Sequence, residues 1–162
     1  MHKTRRIFLG AVCLLAAVAQ AQPPAAEAEL SRGRYLVATS GCNDCHTAGY
    51  MRKDGQVPEA EWLTGDAIGW QGAWGTTYPA NLRLLFQQID EKTWLARARQ
   101  AMRPPMPSPS LRAMSDADLR AIYRYVRHLG AKGQPVPAYV PPGEKVATPY
   151  FDFTPKNLPP GM

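Results

Sequence analysis

Cys42 and Cys45 stand three positions apart with His46 directly behind them, in the run Cys42-Asn43-Asp44-Cys45-His46. Two thiols at this spacing can each form a thioether to one vinyl group on the same edge of a porphyrin, and an imidazole in the next position is carried beneath the ring as an iron ligand. The spacing predicts covalent attachment of one haem c through Cys42 and Cys45, with His46 as the proximal ligand. Three other chemistries use the same residue types. Tetrahedral zinc needs four ligands; downstream only His128 adds another His or Cys, and adjacent Cys45 and His46 are poorly placed to fill two corners of one tetrahedron. A thioredoxin-like redox pair sits between a strand and a helix, and the flanks here lack strand periodicity. A structural disulfide suits an exported protein but leaves a histidine in register without a reason.

Haem held by His46 alone leaves one face of the iron open, and the group on that face separates an electron carrier from a haem enzyme or gas binder. The segment Met102-Arg103-Pro104-Pro105-Met106-Pro107 offers two thioethers in a proline-stiffened loop. Met106, with proline on both sides, is the expected second axial ligand, and Met102 is placed with the preceding helix. His128 falls about 180° from the apolar face of its helix at 100° per residue, so it reads as a solvated side chain.

These groups need elements to position them. The pattern predicts a first helix from Ala25 to Ser40, with Leu30, Leu36 and Val37 inward and Gly33 at a close approach to another element. Asn81 can cap a short helix over Leu82 to Gln88, and Asp90 one from Glu91 to Ala101, with Ile89 and Trp94 spaced as a hydrophobic staple. Ser115 and Asp118 resemble a capping box for the last helix, Met114 and Leu119 its staple, and Gly130 its stop. Leu119, Ile122, Tyr123 and Val126 share one face of that helix, which is expected to cross the first at Gly33 with Tyr123 over the gap. From Ala48 to Tyr78, glycines alternate with Trp62, Trp70 and Trp74 without strand alternation, which predicts a long irregular segment folded over the cofactor. Beyond Gln134, closely spaced prolines end regular structure, and Tyr139, Tyr150, Phe151 and Phe153 favour docking of an extended tail.

The amino terminus carries an export pattern. His2, Lys3, Arg5 and Arg6 precede an apolar run from Ile7 to Ala19, and Ala19-Gln20-Ala21 supplies small residues for cleavage after Ala21. A retained anchor is the alternative, although the run is short for a bilayer. Thr4 to Leu9 also resembles a twin-arginine signal; export of an unfolded chain suits haem attachment after translocation better. Cleavage removes Cys13, leaves 141 residues and lowers the formal charge from +6 to +3. Two propionates would bring it towards about +1, and no clustered basic face remains for nucleic acid. The expected division is a leader over 1–21, a mono-haem domain over 22–133 and a proline-rich tail over 134–162, with the periplasm as the compartment.

The order of helix, Cys-x-x-Cys-His, variable loops, Met-Pro loop and closing helix resembles the class I cytochrome c family over roughly Ala28 to Leu129. The run from Gly75 to Leu82, Asp90 to Trp94 and Pro105-Met106-Pro107 is similar to the haem domains of cytochrome subunits that serve periplasmic alcohol-type dehydrogenases. Arg83 and Leu84 stand where those proteins often carry Thr or Ile and Pro. The resemblance implies an all-α class I fold with crossing terminal helices. It also implies a non-enzymatic carrier that passes single electrons between a periplasmic dehydrogenase and an acceptor towards the respiratory chain. The alternatives are a haem enzyme or gas-binding sensor with an open or labile sixth iron position, and a subunit of a larger membrane complex tethered by the tail.

Overall fold

Helix α1, Ala25–Thr39, buries Gly33, Leu36 and Val37 and meets helix α6, Asp116–Leu129, which buries Leu119, Ala121, Ile122, Tyr125 and Val126. The computed structural model describes residues 24–159 and residue 161. The expected leader, its apolar run and cleavage site, and Cys13 lie outside the described residues. A Cβ at Gly33 would lie 2.1 Å from the Ala121 carbonyl oxygen and 2.6 Å from Tyr125 Cβ. The helices therefore cross at Gly33 at a distance only glycine permits.

The residues over the crossing correct the expected ones. At 100° per residue Ala121 and Tyr125 lie within about 40° of each other, and Tyr123 is on the far side of α6. Tyr123 instead stacks on Phe86, ring centroids 5.5 Å apart, and donates its hydroxyl to the Ile89 carbonyl at 3.0 Å. Helix α6 is buried over two faces, one toward α1 and one toward the middle helices. Its start follows the capping pattern with a variation that suits aspartate. Ser115 Oγ accepts from the Asp118 amide at 3.1 Å and donates to the Asp118 carboxylate at 2.9 Å. The same carboxylate pairs with Arg32 of α1 at 2.8 Å.

Between the terminal helices lie α2, Cys42–His46, α3, Leu82–Gln88, α4, Glu91–Ala98, and α5, Ser108–Ala113. Asn81 Oδ1 caps α3 by accepting from the Leu84 amide at 3.0 Å, and Asp90 caps α4 by accepting from the Thr93 amide at 2.7 Å. Trp94 packs on Phe86, centroids 4.8 Å apart, and donates its indole N–H to the Leu119 carbonyl at 2.8 Å. Helix α4 stops at Ala98, short of the expected Ala101. Arg99 turns away to donate to the carbonyls of Leu111, Arg112 and Met114, closing the C-terminal end of α5. This end-to-end contact delimits the loop that carries Met102 and Met106.

The segment expected to be irregular is more ordered than its sequence suggests. It holds two 3₁₀ turns, Met51–Lys53 and Glu59–Glu61, and then an antiparallel hairpin of β1, Gly69–Gly72, and β2, Gly75–Thr77. Strand β3, Tyr150–Asp152, adds in parallel to the other side of β1, giving the order β2-β1-β3. Strands of three or four residues are too short to show alternation, and one comes from the proline-rich tail. Trp62 is core, whereas Trp70 and Trp74 are half-buried. Trp70 packs between Phe151 and Phe153 at 5.1 and 5.0 Å.

Asn81 also ties the end of the chain to the middle. Its Nδ2 donates to the carbonyls of Lys132 at 2.8 Å and Gln134 at 3.2 Å. Beside it the buried Arg83 guanidinium donates to the carbonyls of Leu129 and Gly130 at the end of α6. A cation at a helix C-terminus answers the exposed carbonyls and the macrodipole together.

Two stability outcomes follow from these contacts. Gly33→Ala forces the crossing apart and loses about 1–3 kcal/mol in urea unfolding, while Ser31→Ala on the exposed side of α1 stays within about 0.5 kcal/mol of the parent. A parent-like midpoint for Gly33→Ala would show that the helices do not approach so closely. Asn81→Ala removes a cap and the anchor of residues 132–134, and loses about 1–3 kcal/mol. Faster amide exchange at Leu84 should accompany that loss, and unchanged exchange there would disprove the cap.

Candidate functional site

Gly41, at φ +75°, makes the left-handed turn that separates α1 from α2, so the chain reverses within a single residue before Cys42. In the five-residue α2 the two thiols are one helical turn apart and His46 closes the element. Its end is held from several sides. The His46 carbonyl accepts from the Gly65 amide at 2.8 Å, and Thr47 Oγ1 accepts from the Leu63 amide at 2.8 Å while donating to Asn43 Oδ1 at 2.7 Å. Leu63 in turn accepts from the Leu82 amide at 2.9 Å, which joins α2 to the start of α3. Leu63 holds φ +62° with its side chain fully buried. A non-glycine residue there costs on the order of 1–2 kcal/mol, comparable with what burial of a leucine side chain supplies.

His46 is buried, and its Nδ1 hydrogen bonds to the Ala80 carbonyl at 2.7 Å. A carbonyl only accepts, so Nδ1 carries the proton and Nε2 is left with its lone pair for a metal. Burial lowers the pKa of this imidazole, against the opposing effect of the Ala80 bond, and so favours the neutral, ligating form. Burial pushes the Cys42 thiol up to about 11. Burial, and then the Asp44 carboxylate, raises Cys45 as well. Both are free thiols, and both are held in the protonated form near neutrality, unlike the activated thiolate of a redox enzyme.

Cys42, Cys45 and His46 line a cavity of about 730 Å³ whose walls also include Met102 and Met106. Such a volume lies within the range of cofactor sites. Val37, Leu82, Leu85, Phe86, Ile122 and Val126 make its floor apolar. The donor set fits a covalently attached haem: two neutral thiols on one side, an imidazole of fixed tautomer, and thioethers within an apolar chamber. It does not fit tetrahedral zinc, since among the described residues no three His, Cys, Asp or Glu side chains gather to hold a metal ion. His128 is exposed on α6 and lines no part of the chamber.

Both thioethers reach the cavity, and Met102 lies in the loop beyond the end of α4 at Ala98 and does not extend that helix. Its amide donates to Ser108 Oγ at 2.8 Å, and the Met106 amide donates to the Arg103 carbonyl at 3.2 Å. Trp70 and Tyr78, from the segment expected to fold over the cofactor, line the chamber, whereas other lining groups had no site signal in the sequence. The Ala80 carbonyl is a backbone group, and a backbone carbonyl leaves no mark in residue type. Arg103, Pro137 and Tyr139 also line the chamber, the last two from the tail.

A cytochrome c family model matches residues 30–130. The chain is also 30% identical over 121 residues to the cytochrome c subunit of alcohol dehydrogenase (quinone) from Gluconacetobacter polyoxogenes. The same subunit from Komagataeibacter europaeus is equally similar, at 30% over 121 residues. Each match covers 73% of this chain and 26% of the relative, so the chain spans about a quarter of the length of the curated relatives it matches. No solved structure matches it. The family match runs from within α1 to the end of α6 and takes in the cavity apart from the walls that the tail supplies, and on that evidence the chain belongs to the cytochrome c family.

Proposed function

We propose that this chain is a mono-haem c-type cytochrome of the periplasm that passes single electrons from a dehydrogenase towards the respiratory chain and catalyses no reaction itself. The observation that carries the reading is the cavity in which Cys42, Cys45 and His46 share walls with two thioethers. Family membership and the similarity to dehydrogenase cytochrome subunits support it. Haem bound there supplies an iron centre that gains and loses one electron. Cys42 and Cys45 would hold it as thioethers, and His46 Nε2 and the Met106 sulfur would take the axial positions. Prolines 105 and 107 restrict the backbone on either side of Met106, which favours one ligand geometry in both oxidation states. The Ala80 carbonyl keeps the imidazole from rotating, and the apolar floor excludes water from the metal. A thioether ligand raises the potential, which suits an acceptor for dehydrogenase electrons.

The leader over 1–21 supports export and the periplasm, with a haem domain over 22–133 and a tail over 134–162. No helix among the described residues is long and apolar enough to cross a membrane. Charge is too evenly distributed for a nucleic-acid partner.

An absorption spectrum of the purified protein tests the reading. A low-spin c-type spectrum, with haem retained through acidic organic extraction and holoprotein lost in Cys42→Ala and Cys45→Ala, is expected. Freely extracted haem would sink covalent attachment. The ferric protein should show the weak near-infrared sulfur-to-iron band, and Met106→Ala should abolish it, lower the potential and admit carbon monoxide to the ferrous iron. Met102→Ala should keep the band. Rapid carbon monoxide binding by the parent protein would point instead to a haem enzyme or gas sensor.

A further inference from the structure

The family match ends at residue 130, yet Pro137 and Tyr139 beyond it line the cavity beside the methionine loop. The guanidinium of Arg103, which lies between the two methionines in sequence, sits 4.0 Å from the centroid of the Tyr139 ring. Tyr139 is itself anchored, since its hydroxyl donates to the Trp74 carbonyl at 2.7 Å. The next residue, Val140, exchanges backbone hydrogen bonds with Thr76 at 2.8 and 3.0 Å. From the same strand Thr77 Oγ1 donates to the Pro104 carbonyl at 2.8 Å. The loop from Met102 to Pro107 is therefore gripped by one hydroxyl from β2 and one aromatic face from the tail, and β2 holds both grips in register.

We infer that Tyr139 and Thr77 form a clamp that positions the axial methionine loop, so that the tail beyond the family span controls whether small ligands reach the iron. The inference rests on the proposed haem function. Its physical basis is local. Prolines 104, 105 and 107 stiffen the loop but donate no backbone hydrogen bonds, so the segment has few internal ties. A stacked cation and a hydroxyl-to-carbonyl bond supply what the backbone cannot. Opening the loop requires both to break, and while they hold, the backbone that carries Met106 would keep its sulfur close to a bound metal. Tyr139 is a positioning residue in this clamp, since it holds the loop through Arg103.

The test uses the full-length holoprotein and reads two quantities, the rate of cyanide binding to ferric haem and amide exchange at Met102 and Met106. Tyr139→Leu and Arg103→Gln should each raise the cyanide rate by about three- to tenfold, the range that loss of one stacked cation allows, with faster exchange at both amides. The double variant should be no faster than either single one. Tyr139→Phe keeps the ring under Arg103 but loses its tie to the Trp74 carbonyl, and should bind cyanide more slowly than Tyr139→Leu and no more slowly than the parent; Thr77→Val should add to the effect of Tyr139→Leu. Glu144→Ala, an exposed change in the same tail, should leave both readings at the parent value. Parent-like rates and exchange in Tyr139→Leu and Arg103→Gln would overturn the clamp. If the parent itself lacks the sulfur-to-iron band, the axial assignment fails instead, and amide exchange still decides whether Tyr139 holds the loop.

Discussion

The Ala121 carbonyl oxygen stands where a side chain on residue 33 would have to begin, and this close approach of α1 and α6 fixes the frame on which the cavity is built. Apolar burial sustains the contact. Leu36 and Val37 on one side, and Ile122, Tyr125 and Val126 on the other, are buried, each large side chain worth about 1.5–3 kcal/mol. Ion pairs also join the helices, Arg32 to Asp118 and Arg124 to Glu29, but they are largely exposed, and such pairs contribute about 0–1 kcal/mol. They bias orientation, while packing sets distance. Because α1 runs into Gly41 and α2, fixing the crossing also fixes where the two thiols can lie.

The other end of α6 governs the imidazole through a polar route. Arg83 closes the last carbonyls of α6, and Asn81 both caps α3 and holds residues 132 and 134. Ala80, whose carbonyl orients His46, is next to Asn81 in the chain. Burying a guanidinium is costly, and burial lowers the pKa of Arg83 for that reason. Four carbonyls, from Ala60, Trp62, Leu129 and Gly130, offset the cost by solvating it from the protein. Among the described residues no carboxylate pairs with it directly, although the charge of Glu61 favours it, and the guanidinium is matched to the negative end of a helix. Breaking any part of this arrangement would release the backbone that holds the histidine.

Capping residues, the haem motif and the order of the helices were legible because each is written in residue type at fixed spacing. Asn81, Asp90 and Ser115 cap where their types and positions suggest. What was not legible depends on partners distant in sequence. Ala121 has too small a side chain to mark an interface, so the apolar stripe through Tyr123 drew the crossing to the wrong side of α6. The three-stranded sheet lacks a signal because its strands are three or four residues long and Tyr150–Asp152 pairs with a segment about eighty positions earlier. Arg99 ends α4 through carbonyls of α5, and nothing within α4 announces it. Cys42, Cys45, His46 and Met106, which line the cavity, stood out by residue type, whereas the carbonyl of Ala80 could emerge only from the fold.

The two methionines illustrate how local stiffness and remote packing divide the work of shaping a site. Prolines reduce the conformations that the unfolded loop must surrender, so part of the loop's order is built into the chain before any contact forms. Stiffness alone does not aim a sulfur atom, and both thioethers face the same chamber. Direction comes from ties at fixed points: Ser108 on the Met102 amide, Thr77 on Pro104, and Tyr139 under Arg103. Two of the three arise from the sheet and tail, outside the helical frame that carries the thiols and the imidazole. The wall that carries the thiols is thus set by the helix crossing, and the methionine loop is held from the strands and the tail. A substitution in either layer can alter one wall of the chamber while the other keeps its geometry.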